Sequence, residues 1–166
     1  MKIQRCFTIH CALLLLPVLL IASFAAAEDK KKDDSKDVCA QANPASLCTA
    51  SNTCGSACSV DVKRTSYSSS ATPNVAGAKG GGIFCVKAGT TVTWQSTAKN
   101  TGFLIDFGAT SPFDPPGTIT GGTEKSVPVV AKTPGCYKYN FTASNSKAIY
   151  GMGKAAQGAL IVIGGQ

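Results

Sequence analysis

Beyond residue 60, apolar and polar positions alternate in short runs, the pattern of strands buried on one face. The clearest run is Pro134-Gly135-Cys136-Tyr137-Lys138-Tyr139-Asn140-Phe141. A Pro-Gly turn opens it. Tyr137, Tyr139 and Phe141 then share one face at period two, and Cys136, Lys138 and Asn140 share the other. The run Gly158-Ala159-Leu160-Ile161-Val162-Ile163 reads as a closing strand. Further strands are predicted over residues 61–67, 83–87, 91–95, 103–107 and 125–131. Val92 and Trp94 point the same way, and Pro128 marks 125–131 as an edge strand because proline cannot donate to a ladder. Residues 68–82 and 111–122 are rich in Ser, Ala, Gly or Pro and read as loops. Residues 144–157 read as a loop with room for one helical turn. The expected architecture is an all-β, Greek-key β-sandwich of about seven to eight short strands.

The first 27 residues carry a different pattern. Lys2 and Arg5 precede an apolar run over 12–22, and Ala25-Ala26-Ala27 stands before Glu28-Asp29-Lys30. This is the layout of a cleaved signal peptide, and the run is short for a membrane anchor. It implies a secreted or periplasmic protein that meets the membrane only through that peptide. Residues 28–37 (EDKKKDDSKD) read as a charged, flexible linker. Residues 38–60 form a Cys-rich extension with too few large apolar side chains to bury a core, so cross-links or a metal would have to order it. The sandwich domain is then 61–166.

Charge and cysteine content narrow the function classes. Without Lys2 and Arg5 the chain keeps 14 basic against 9 acidic residues. That excess lies after residue 58, where it suits solubility or an anionic partner such as an acidic protein, polysaccharide or lipid headgroup. Export argues against nucleic acid. Cys39, Cys48, Cys54, Cys58, Cys85 and Cys136 follow the signal peptide, and an even count after export reads as disulfides, with 15 possible pairings. The only histidine of the chain is His10, inside the signal peptide.

Several pieces together resemble the cupredoxins, the plastocyanin-like copper proteins. Val86-Lys87-Ala88-Gly89-Thr90-Thr91-Val92-Thr93-Trp94 is similar to a hairpin of that family. Residues 103–107 are placed like the strand that opens with its first histidine ligand. The strand ending at Phe141, the loop after it and the closing strand are similar to the family's C-terminal portion. Type 1 copper takes two imidazoles, one thiolate and a weak axial thioether. The resemblance implies that these four positions correspond to Phe103, Phe141, Ser144 and Met152. It therefore implies a cupredoxin-like sandwich whose type 1 copper ligands are gone, with Phe141 turned inward as an apolar plug and no cofactor. Cys136 lies on the other face of that strand and does not replace the thiolate. It is expected to pair with Cys85, Cys39, Cys48, Cys54 and Cys58 pairing among themselves. A bridge closing about 50 residues would stabilise the fold by roughly 3–4 kcal/mol.

Other chemistry has thin support. Cys54 and Cys58 form a C-x3-C pair, similar to that of Sco-type copper-delivery proteins, which add a distant histidine. They could be disulfides, a soft-metal or redox dithiol, or links to a partner. Without histidine, a nucleophile would need a lysine or carboxylate base, and nothing in the sequence brings Asp106, Asp114 and Glu124 together. The glycines at 80–82 lack the strand-then-helix setting of a phosphate cradle. Trp94 reads as core, Lys99, Lys125, Lys132, Lys147 and Lys154 as a solvated face, and Asn140-Phe141-Thr142 as a glycosylation sequon. The expected function is non-enzymatic, a structural or binding module. Its partner would meet the loops at 96–102 and 144–157. The alternative is copper handling or electron transfer at Cys54, Cys58 or Met152.

Overall fold

The computed structural model describes residues 37–78, 82–151 and 156–165. The expected signal peptide, most of the charged linker, and Met152 and Lys154 lie outside the described residues. The strands are β1 (Ala57–Arg64), β2 (Ser69–Pro73), β3 (Ile83–Lys87), β4 (Thr91–Gln95), β5 (Gly102–Asp106) and β6 (Phe113–Asp114). They continue as β7 (Ile119–Gly122), β8 (Val127–Ala131), β9 (Gly135–Ser144), β10 (Ile149–Tyr150) and β11 (Ala156–Ile163). One sheet runs β2-β1-β4-β8-β6 and the other β3-β11-β9-β5-β7, with β10 added to the end of β9. The protein is an all-β sandwich. β1 runs parallel to β4 and β3 parallel to β11, while the other pairings are antiparallel.

Four strands, β2, β6, β7 and β10, stand where loop was expected, and β1 starts earlier than the strand expected over 61–67. β1 begins inside the Cys-rich segment, because Cys58, Val60 and Val62 alternate inward at period two. Residues 61–64 fall within the strand expected over 61–67, while small residues hid the part before it, Ala57–Val60. β2 turns Ser69, Ala71 and Pro73 inward, residues too small to raise an apolar signal. β6 and β7 fall in the Pro/Gly stretch, where Pro112, Phe113 and Ile119 are buried apolar anchors. After β9 the chain makes no helical turn over 145–148. The Asn145 side chain accepts from the amides of Lys147 and Ala148, and β10 folds back onto β9. Pro128 of β8 is registered with Thr93 on β4, and β6 reaches only Val130 and Ala131 on the far side. The proline thus sits where β8 has a neighbour on one side alone.

The core is aromatic at its centre. Trp94 meets Tyr139 edge-on at 5.4 Å between ring centres, and Phe84, Phe107 and Phe113 surround the pair at 5.2 to 6.4 Å. The contacts of Trp94 with Tyr139, Phe84 and Phe113 are edge-to-face, a favourable arrangement for aromatic quadrupoles, and Phe107 is tilted on Tyr139. Alternation places them here: Trp94 with Val92 on β4, Tyr139 with Phe141 on β9, Phe84 with Val86 on β3.

The disulfides depart from expectation. Cys39 joins Cys136, Cys48 joins Cys85, and Cys54 joins Cys58. Only the last pair lies within the N-terminal four. Cys85 and Cys136 do not pair because β11 runs between their strands, and Ile161 is registered with both. Two strand spacings separate them by about 9–10 Å, beyond the roughly 7 Å that a disulfide can span. Instead both sulfurs hold the segment from Asp37 to Thr53 across the outer face of the second sheet. Asp37 pairs with Lys138 at 2.6 Å, and a short turn at Pro44–Leu47 packs on β9 and β11. At the edge strand β3, Cys85 N–H donates to Asn52 and its carbonyl accepts from Cys54 N–H, both at 2.8 Å. This strap keeps Ile161 2% exposed on a face that would otherwise meet water. The Cys-rich segment is therefore part of the sandwich rather than an appendage.

Candidate functional site

Three of the positions singled out by the copper-protein resemblance, Phe103, Phe141 and Ser144, lie on paired strands at one end of the second sheet, the first two on its inner face and Ser144 on its outer face. Antiparallel register sets Gly102 opposite Ser144, Phe103 opposite Ala143 and Ile105 opposite Phe141. Phe103 and Phe141 are buried on the inner face, and Phe141 packs on Tyr139 at 5.8 Å. Ser144 is half-buried, against Gly102. Two phenyl rings and a hydroxyl offer neither imidazole nor thiolate, so this set does not fit a type 1 copper ion. Nor do the remaining cysteines take its place. Cys54 and Cys58 are bonded to each other and buried. Among the described residues no three of His, Cys, Asp or Glu gather where they could hold a metal.

Phe141 is held by contacts that sequence reading missed. The hydroxyl of Ser69, buried on β2 of the opposite sheet, donates to the Phe141 carbonyl at 3.1 Å. Gly151, at φ +93°, passes so close that a Cβ there would lie 2.6 Å from the Ser69 hydroxyl oxygen. Ser69 lies in a stretch read as loop. Only the inward period of Ser69, Ala71 and Pro73 could have signalled it.

Arg64 knits the loops at this end together. Its Nε donates to Thr101 Oγ1 at 3.0 Å and its Nη2 to the Lys99 carbonyl at 3.2 Å, while its guanidinium lies 5.9 Å over the Tyr150 ring. Thr123 completes the tie. Its hydroxyl donates to Ala98 O at 2.6 Å and accepts from Thr101 N–H at 3.0 Å. Asp61 anchors the start of the same loop, accepting from the Thr97 amide and hydroxyl and pairing with Lys63 at 2.8 Å. Partial burial would raise its pKa, but these donors outweigh burial and hold the carboxyl below its ordinary value. The 96–102 loop is thus a fixed surface.

Beside this loop the start of β5 and the end of β7 border an open groove of about 660 Å3. Its floor is glycine for a steric reason: a Cβ on Gly121 would sit 2.5 Å from the Phe103 ring, and one on Gly122 2.8 Å from the Thr101 carbonyl. Lys99, Asn100, Thr120, Glu124 and Lys125 stand around it. The other carboxylates lie elsewhere. Asp106 caps its own turn by accepting from Gly108 N–H, and Asp114 on the other sheet pairs with Lys132. Asn140 is exposed on the outer face of β9, and Trp94 is fully buried.

Two buried polar atoms have no hydrogen-bond partner among the described residues: Trp94 Nε1 and the Tyr139 hydroxyl. Burial pushes the Tyr139 hydroxyl well above the usual phenol pKa.

No protein-family model matches the chain, and no curated protein matches it either.

Proposed function

We propose that this chain is a secreted, cupredoxin-like structural or binding module that has lost type 1 copper and carries no catalytic centre. One observation carries the reading: Phe141, at the position of the family's thiolate, is 2% exposed and packed on Tyr139 inside the sandwich. An aromatic ring there closes by packing a pocket that a metal would otherwise organise. Three observations on strand order lend support. β9 neighbours the closing strand β11, β11 lies parallel to β3, and β1 lies parallel to β4. The three disulfides fit an oxidising compartment, in keeping with export. The contact surface is the end of the sandwich bearing the 96–102 loop and the turn after β9. There Arg64 and Thr123 make the loops rigid, which lowers the ordering cost of binding.

The test is to purify the protein from its own compartment, then measure copper content, visible absorption and free thiols on one sample. The reading expects no stoichiometric copper, no thiolate-to-copper absorption band and no free thiol. Stoichiometric copper with an intense visible band would overturn it.

A further inference from the structure

We infer that the groove at the β5–β7 edge binds an acidic saccharide, one that carries a carboxylate or sulfate among its hydroxyls. The inference rests on reading this end of the sandwich as the contact surface.

The groove's chemistry points to that class of ligand. Lys99 and Lys125 stand on its walls, and neither amine has an ion-pair partner among the described residues, whereas Lys63, Lys132 and Lys138 each hold a carboxylate. Two lysines against the single carboxylate of Glu124 leave the lining net positive, which favours an anionic group. The rest of the lining suits hydroxyls. The Asn100 side chain and the Thr120 hydroxyl have no hydrogen-bond partner among the described residues, and Glu124 adds a free acceptor. By contrast, Thr101 and Thr123 are spent on fixing the walls. The floor is backbone, because packing on Phe103 and Thr101 requires glycine at 121 and 122. A sugar ring can therefore lie against the main chain. The lining holds no aromatic and no large aliphatic side chain, so it lacks the buried apolar anchors on which protein partners dock. Asn100 sits at φ +52°, in the left-handed region that asparagine tolerates better than most residues.

The test is a two-dimensional NMR titration of the full-length secreted protein. The probes are a tetragalacturonate, its methyl ester, a sulfated disaccharide and an oligoglutamate peptide. Saturable shifts confined to the amides of 99–102 and 120–125, with one or both acidic saccharides and not with the ester, are expected. The arm that binds assigns the anionic group as carboxylate or sulfate. K99A and K125A should each weaken binding about ten-fold, as the loss of one charge-assisted hydrogen bond predicts. K87A, at the opposite end of the sandwich, should leave it unchanged. No saturable shift with either acidic saccharide would overturn the inference, as would equal binding of oligoglutamate or an equal loss in K87A. The copper and thiol measurements are separate, so failure here leaves the reading of the Phe141 end standing on its own evidence.

Discussion

The ring of Tyr139 covers the place a side chain would take at Gly158. The two residues are registered opposite each other on β9 and β11. A Cβ at position 158 would come within 2.3 Å of Tyr139 Cζ and 2.4 Å of its hydroxyl oxygen. The glycine thus lets the fully buried tyrosine of β9 lie inside the sandwich beside Trp94. G158A should expel or twist that ring and cost about 1–3 kcal/mol, as overpacking does. Chemical denaturation of the variant measures this. A neutral effect would mean the ring does not occupy this place.

The hydroxyl of the same ring has no hydrogen-bond partner among the described residues. Y139F keeps the ring and removes the orphan donor, so it should leave stability unchanged or raise it by about 1 kcal/mol. A substantial loss would reveal a partner for that hydroxyl. The variant should also change the alkaline limb. Burial raises the folded pKa above the unfolded value of 10.0. Below pH 10 both states keep the proton, and Tyr139 contributes no pH dependence. Above it the unfolded state ionises first, so stability falls, by up to about 1.4 kcal/mol per pH unit for this group. Y139F should show a shallower decline.

Asp61 acts on the acid limb with the opposite sign. Its carboxyl is held below the unfolded value of 3.8, because the donors from Lys63 and Thr97 outweigh its partial burial. Its contribution is present above pH 3.8 and is lost as pH falls through the lower folded value. D61N should flatten this part of the acid transition and loosen the 96–102 loop. Hydrogen exchange at Thr97 reads the second effect directly.

The disulfide strap predicts a defined peptide map. Non-reducing digestion should yield Cys39 with Cys136, Cys48 with Cys85, and Cys54 with Cys58. The first two pairs span sequence separations of 97 and 37. Chain entropy values such closures at roughly 4–5 kcal/mol each before native strain. Removing the first pair with C39A/C136A should therefore destabilise the fold by about 2–5 kcal/mol and raise exchange along β11, where Ile161 loses its cover. A map joining Cys85 to Cys136 would contradict the strap.

Much of this was legible in the alternation of single strands. Tyr139 and Phe141 inward, Lys138 and Asn140 outward, and the Val92–Trp94 pair all follow from period two. Strand neighbours were less legible, and the Cys85–Cys136 expectation failed for that reason. Nothing local in either strand says that β11 lies between them. The first half of β1 and all of β2 were hidden by composition, since Cys58, Ser69 and Ala71 do core work with small side chains. The Arg64 tie and the Ser69 bond to Phe141 join residues 37 and 72 positions apart. Such contacts exist only once the sheets are assembled. Of the positions read as former ligands, Phe103 and Phe141 share the inner face of paired strands, which local pattern alone could not require, while Ser144 falls on the outer face.

The central claim is that packed aromatic side chain fills the place of a metal ion. The most direct measurement is an anomalous-scattering map from crystals of the purified protein grown with excess copper. The account predicts no ion among Phe103, Phe141 and Ser144, and a phenyl ring in contact with Tyr139 at that end of β9. A copper ion seated beside Phe141, or a β9 that does not pair with β11, would contradict it.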